Sequence, residues 1–176
     1  MKTPRLAAVL LAATCCAALP EQPSRSQPAG PLTHFEKVTL ERTACEGTCP
    51  VYRVVILGDG GVEYDGYRFV KVGSATTTLS PEQIEALLAA INNARYFSLR
   101  GSYRRGRDGC PTWVTDSPSA LTSVTSGGVT RKIDHDLGCR EPSASDRRLG
   151  APYPPELTAF ENAIDEIVNT ARWVKR

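Results

Sequence analysis

Hydrophobic positions along this chain follow two rhythms. In Val38-Thr39-Leu40-Glu41 apolar and polar residues alternate, the pattern of a strand with one buried face. The most strand-like run is 51–57, with Tyr52, Val54 and Ile56 on one side and Val51, Val55 and Leu57 on the other. Only Arg53 interrupts it, which reads as a central strand covered on both faces. Gly58-Asp59-Gly60-Gly61 then supplies the flexible residues of a tight hairpin turn. Beyond it Val62 and Tyr64 point one way, Glu63 and Asp65 the other. Further extended stretches cover 67–72 and 76–79.

At Ser80 the period changes from two to about 3.6. Ser80-Pro81-Glu82-Gln83 has the layout of a capping box with proline in the first turn. Ile84, Leu87, Leu88 and Ile91 then form one apolar stripe. Residues 100–118 have no period and are rich in glycine and arginine, so they are expected as a long exposed loop that the core does not need. Residues 121–126 and 129–137 are read as two further strands joined at Gly127-Gly128, a second hairpin. A polar, proline-rich loop covers 140–154. A last helix is expected from Pro155, with Leu157, Phe160, Ile164, Ile167 and Ala171 on one face. The order predicts an α+β fold: a single antiparallel sheet of five to six strands with two α-helices packed on one face.

The first residues follow neither rhythm. Lys2 and Arg5 precede an apolar run over 6–13 and the small residues Thr14-Cys15-Cys16-Ala17-Ala18, the layout of an export signal. The run is too short for the ~20 residues of a membrane-spanning helix. The expected organisation is therefore a signal over 1–18, a flexible Pro/Ser/Gln-rich tether over 19–34 and one α+β domain over 35–176. Cys15 or Cys16 is the candidate lipid anchor of a lipoprotein; cleavage after Ala18, releasing a soluble protein, is the alternative. The expected location is the periplasm, or the outer membrane through the anchor. Charge adds one exclusion. Of 21 basic residues, Lys2 and Arg5 leave with the signal, so 19 remain against 19 acidic ones. No global field draws such a chain to nucleic acid or to anionic lipid, and membrane contact is expected only through the N-terminal lipid anchor.

Cys45, Cys49, Cys110 and Cys139 remain for the exported chain, and an even number there reads as disulfides. Four cysteines allow three connectivities; locality selects Cys45–Cys49 and Cys110–Cys139. A four-cysteine zinc site would need paired C-x-x-C spacings in a reducing compartment, so no metal and no cofactor are expected.

The stretch Glu41-Arg42-Thr43-Ala44-Cys45-Glu46-Gly47-Thr48-Cys49-Pro50-Val51-Tyr52 resembles the signature of the bacterial domain of unknown function 6438. Gly58-Asp59-Gly60, Ser80-Pro81-Glu82-Gln83, Tyr96-Phe97, Thr115-Asp116-Ser117-Pro118, Ile164-Asp165 and Trp173 are similar to its later landmarks. The resemblance spans residues 35–173. It implies a cell-envelope protein and brings no catalytic residue with it.

Three clusters are candidates for chemistry. Cys45 and Cys49 have one residue more between them than the C-x-x-C of thiol–disulfide catalysts, and a strand follows instead of a helix, which favours a structural clasp. Asp116, Asp134 and His135 are the candidate polar site for acid–base work. In a strand, however, Asp134 and His135 point to opposite faces, and the bland reading is a solvated strand end with a partly buried histidine. Arg100, Tyr103, Arg104, Arg105 and Arg107 are the candidate binding surface, suited to a phosphate or an acidic glycan. The function read from the sequence is a monomeric, non-enzymatic envelope module that binds an envelope partner or ligand. A small hydrolase-like enzyme using Asp116, Asp134 and His135 is the alternative.

Overall fold

The computed structural model describes residues 30–106, 109–143 and 150–174. The expected export signal with Cys15 and Cys16, most of the expected tether, and Arg107 lie outside them. Four strands open the domain as a meander: β1 (Lys37–Arg42), β2 (Val51–Leu57), β3 (Gly61–Arg68) and β4 (Ser74–Thr78). Helix α1 (Pro81–Asn93) and a 3-10 turn (Tyr96–Ser98) lead to two short strands, β5 (Ser102–Tyr103) and β6 (Thr112–Trp113). The hairpin β7 (Ser119–Ser126) and β8 (Val129–Asp136) follows, then β9 (Cys139–Arg140), α2 (Pro155–Val168) and α3 (Ala171–Val174).

The fold is α+β, but the sheet is larger than the sequence predicted and not purely antiparallel. Seven strands are ordered β4-β3-β2-β1-β7-β8-β5, and β6 pairs with β9 in a separate two-stranded sheet. All neighbours in the large sheet are antiparallel except β5, which runs parallel to β8. Strand β5 has two residues and no alternation to betray it. It forms because Tyr103 enters the core at the β8 edge, 5% exposed, after α1 has carried the chain across the helix-covered face. The expectation of an exposed 100–118 loop that the core does not need is corrected on that point.

Helices α1 and α2 pack together on one face. Beneath them Val38, Leu40, Val54, Ile56, Val62, Val124 and Ile133 are closed to solvent. The opposite face carries no helix among the described residues, so Arg53 and Leu57 of β2 stand exposed and Val55 only half-buried. The two-sided burial expected for this strand is therefore corrected to one side.

Local chemistry fixes the joints. In the turn between β2 and β3, Gly60 has φ +90°, and a Cβ there would lie 3.0 Å from the Leu79 carbonyl oxygen. Both halves of the Ser80–Gln83 capping box form, and Gln83 Nε2 also donates to the Ile167 carbonyl of α2 at 2.7 Å. Helix α2 stops earlier than its apolar stripe suggests. Asn169 adopts the left-handed conformation, so Ala171 belongs to the short α3, which seats Trp173 against Tyr64. Packing begins before Phe35: the Asn92 side chain bonds both the N–H and the carbonyl of Leu32, at 2.7 and 2.9 Å. The disulfides are Cys45–Cys49, closing the β1–β2 connection, and Cys110–Cys139, tying the segment just ahead of β6 to β9, with Cα separations of 5.6 and 5.4 Å.

Candidate functional site

At the end of the sheet where β1 hands over to the disulfide loop, one register row on the helix side runs Tyr103, His135, Ala120, Arg42, Tyr52. Ala120 is the small member, and the long side chains flank it. Helix α2 lays Glu161 and Asp165, one turn apart, over this row. Glu161 falls inside the buried arc of Leu157, Phe160, Ile164 and Val168, and it is wholly closed to solvent, as is His135. Charge buried to that degree survives only with partners.

The partners are all present. His135 Nδ1 lies 2.8 Å from Glu161 Oε1, and its Nε2 lies 3.0 Å from the Tyr153 carbonyl oxygen. The carbonyl only accepts, so Nε2 carries a hydrogen, and the Nδ1–Oε1 contact is bridged by one proton held on either atom. Glu161 Oε2 is 3.5 Å from Arg42 Nη1. Arg42 then turns its Nε and Nη2 on Asp165 Oδ2, at 3.2 and 2.9 Å. Asp165 Oδ1 accepts from the Tyr52 hydroxyl at 2.6 Å and from the Thr170 hydroxyl at 2.9 Å. Burial opposes the charge on Arg42, but Asp165 and then Glu161 outweigh it and hold the guanidinium above its ordinary pKa. The Tyr52 phenol is pushed well above its usual value, first by burial and then by the Asp165 charge. Every member is satisfied by another, so the seam has the properties of a lock between sheet and helix.

The predicted site residues do not meet. His135 belongs to the seam, and its expected partial burial is corrected to complete burial, because Glu161 supplies a buried partner. Asp134, its neighbour, faces the other side of the sheet, where its Oδ2 takes a 2.7 Å bond from Arg104 Nη1. Asp116 is exposed in a turn with φ +66°, its carbonyl accepting from the Glu46 N–H of the disulfide loop at 3.3 Å. The arginine cluster is also divided. Tyr103 is buried against His135 and Tyr153, and its hydroxyl accepts from the exposed Arg100 backbone N–H at 3.0 Å. Arg105 stacks 4.8 Å over the Trp113 ring.

The uncovered face of the sheet is the second polar region. A shallow concavity of about 680 Å³ is lined there by Lys37, Arg53, Lys132, Glu41, Asp134, Thr39 and Ser123, among others. Thr39 and Ser123 share a 2.6 Å hydroxyl–hydroxyl bond at its floor. Among the described residues no group of three His, Cys, Asp or Glu side chains is arranged to hold a metal ion.

The resemblance in the signature extends to the whole domain. A family model described as a domain of unknown function (DUF6438) matches residues 36–168. The chain belongs to the DUF6438 family. No curated protein matches the chain. The motif residues that carry the resemblance now have positions. Arg42 and Tyr52, on either side of the Cys45–Cys49 loop, converge on Asp165 of the Ile164-Asp165 landmark.

The sequence reading missed Arg42, Glu161 and Asp165 as a unit. A signal was there: Arg42 continues the buried register of Val38 and Leu40, and Glu161 interrupts the apolar arc of α2. Opposite charges on two core-facing surfaces point to a buried pair.

Proposed function

We propose that this DUF6438 protein is a non-enzymatic binding module of the cell envelope that holds its ligand or partner on the uncovered face of the sheet. One contrast carries the reading. The groups capable of acid–base chemistry at the seam are saturated by one another beneath α2, whereas the opposite face offers an open, hydroxyl-rich concavity with cations at Lys37, Arg53 and Lys132. Arg104, on its salt bridge to Asp134, brings the arginine-rich segment to the rim of that concavity, so loop and face form one surface. Exposed groups on a rigid scaffold are where recognition concentrates. Two disulfides in a chain with an export-type start support an oxidising compartment.

The test is in-cell cross-linking of the tagged full chain in its own host, with and without Lys37→Glu, Arg53→Glu and Lys132→Glu combined. The expected result is loss of the cross-linked species with thermal unfolding nearly unchanged. The reading fails if cross-linking persists in that variant. It fails equally if an envelope activity disappears on Asp116→Asn in folded protein, which would favour the hydrolase-like alternative.

A further inference from the structure

Among the described residues four large hydrophobic side chains stand exposed, and two of them, Tyr67 (57%) and Phe69 (40%), are two residues apart where β3 turns towards β4. The loop that carries them is held firmly. Gly66 N–H bonds the Gly73 carbonyl at 2.8 Å, and Lys71 and Val72 N–H both reach the Trp173 carbonyl of α3, at 2.8 and 3.3 Å. Val70 and Val72 turn inward against the core, while Tyr67, Phe69 and Lys71 turn outward. Phe69 has φ +54°, a left-handed conformation that is strained for a residue with a Cβ. The ring is left 40% exposed and does not belong to the core.

The charge on the loop itself has one sign, with the exposed Asp65 just before it on β3. Residues 66–73 contain Arg68 and Lys71 and no acidic residue, and Arg172 of α3 adds a third exposed cation beside them. None of the three takes part in an ion pair among the described residues. Arg68 lies 5.1 Å over the Phe69 ring and Arg172 4.2 Å over the Trp173 ring, so both guanidinium groups ride on aromatic faces. We infer that the 66–73 loop docks the protein on an anionic lipid surface. Aromatic rings with apolar bodies settle at headgroup depth, and Arg and Lys beside them meet lipid phosphates. An acidic protein is the poorer fit, because a stable protein interface draws on roughly 20–30 residues a side and this tip offers the five side chains Tyr67, Arg68, Phe69, Lys71 and Arg172. The loop is separate from the uncovered sheet face, and the inference needs envelope placement only for a membrane to lie within reach.

Co-flotation with vesicles tests it, using the chain from Leu19 onward so that neither the basic, apolar start nor an acyl chain contributes. The protein should float with phosphatidylcholine vesicles that contain phosphatidylglycerol and remain below with phosphatidylcholine alone. Arg68→Gln with Lys71→Gln should weaken flotation by roughly tenfold or more, as should added salt. Phe69→Gly should weaken it too, while leaving thermal unfolding unchanged or raised, since glycine takes a positive φ freely. That combination separates docking from folding. The inference is overturned if neutral and anionic vesicles bind alike, or if Phe69→Gly floats like the parent. Retention on immobilised polyglutamate without flotation would assign the loop to an acidic protein and overturn it as well.

Discussion

Glu41 and Arg42 are adjacent, as are Asp134 and His135, yet each pair is split between the two faces of one sheet. Arg42 and His135 enter a closed seam in which each partner is fixed within hydrogen-bonding distance. Glu41 and Asp134 line an open concavity where water competes for the same bonds. Charged residues of both signs stand on both sides, and the medium differs. Under α2 a carboxylate that loses its partner leaves an uncompensated charge in a low dielectric, at several kcal/mol. On the open face the same loss is taken up by water, at well under 1 kcal/mol. The seam therefore specifies how the helix sits on the sheet, and the concavity adds little to that specification.

The largest expected effect breaks the seam. Glu161→Ala leaves His135 and Arg42 without their shared carboxylate and should destabilise by about 3–5 kcal/mol. Glu41→Ala, one residue before Arg42 on the other face, should change stability by less than about 0.5 kcal/mol. Urea unfolding of the two variants checks the pair. If they cost the same, the distinction between the faces is wrong. Replacing His135 and Glu161 together with leucine should cost less than the sum of the single changes, because the partners are removed jointly.

This asymmetry also explains what was legible in the sequence. Alternation over 38–41 and 51–65, the capping box at Ser80 and the Gly127-Gly128 hairpin are local signals, and the structure carries each one. The family could be read from a contiguous stretch for the same reason. The seam joins Arg42 to Asp165 across 123 positions and depends on the packing of α2, which no local window contains. Strand β5 was illegible because two residues hold no period. Apolar residues on both sides of β2 suggested double cover, but whether a half-buried valine meets a helix or solvent is decided by elements far along the chain.

An intermediate effect sharpens the comparison through pH. Tyr52 and Tyr96 lie on the helix-covered side, and burial raises both phenols well above the ordinary value, with Asp165 adding to the rise at Tyr52. Tyr64 is pushed up to about 12 by burial and by the Asp165 charge. A raised folded-state pKa means that the unfolded chain loses these protons first. The stability they contribute is therefore complete below pH ~10 and falls as pH rises through the folded-state values, by up to ~1.4 kcal/mol per pH unit for each phenol. Equilibrium unfolding across the alkaline range should show this decline, and Tyr52→Phe should make it shallower. A slope unaltered by Tyr52→Phe would mean that the phenol ionises alike in both states, contrary to its burial against Asp165.

The smallest expected effect concerns the open face. Arg104 and Asp134 form a short bond of 2.7 Å, comparable in length to those of the seam, but their side chains are 54% and 31% exposed. Distance alone would rank this pair with Arg42 and Asp165. Exposure reverses the ranking, since two long side chains lose rotamer freedom while water and salt screen the attraction. A double-mutant cycle with Arg104→Gln and Asp134→Asn should give a coupling below about 1 kcal/mol that fades with added salt. The corresponding cycle with Arg42→Gln and Asp165→Asn should give a larger coupling that salt hardly changes. Equal couplings with equal salt dependence would show that the two faces share one electrostatic medium.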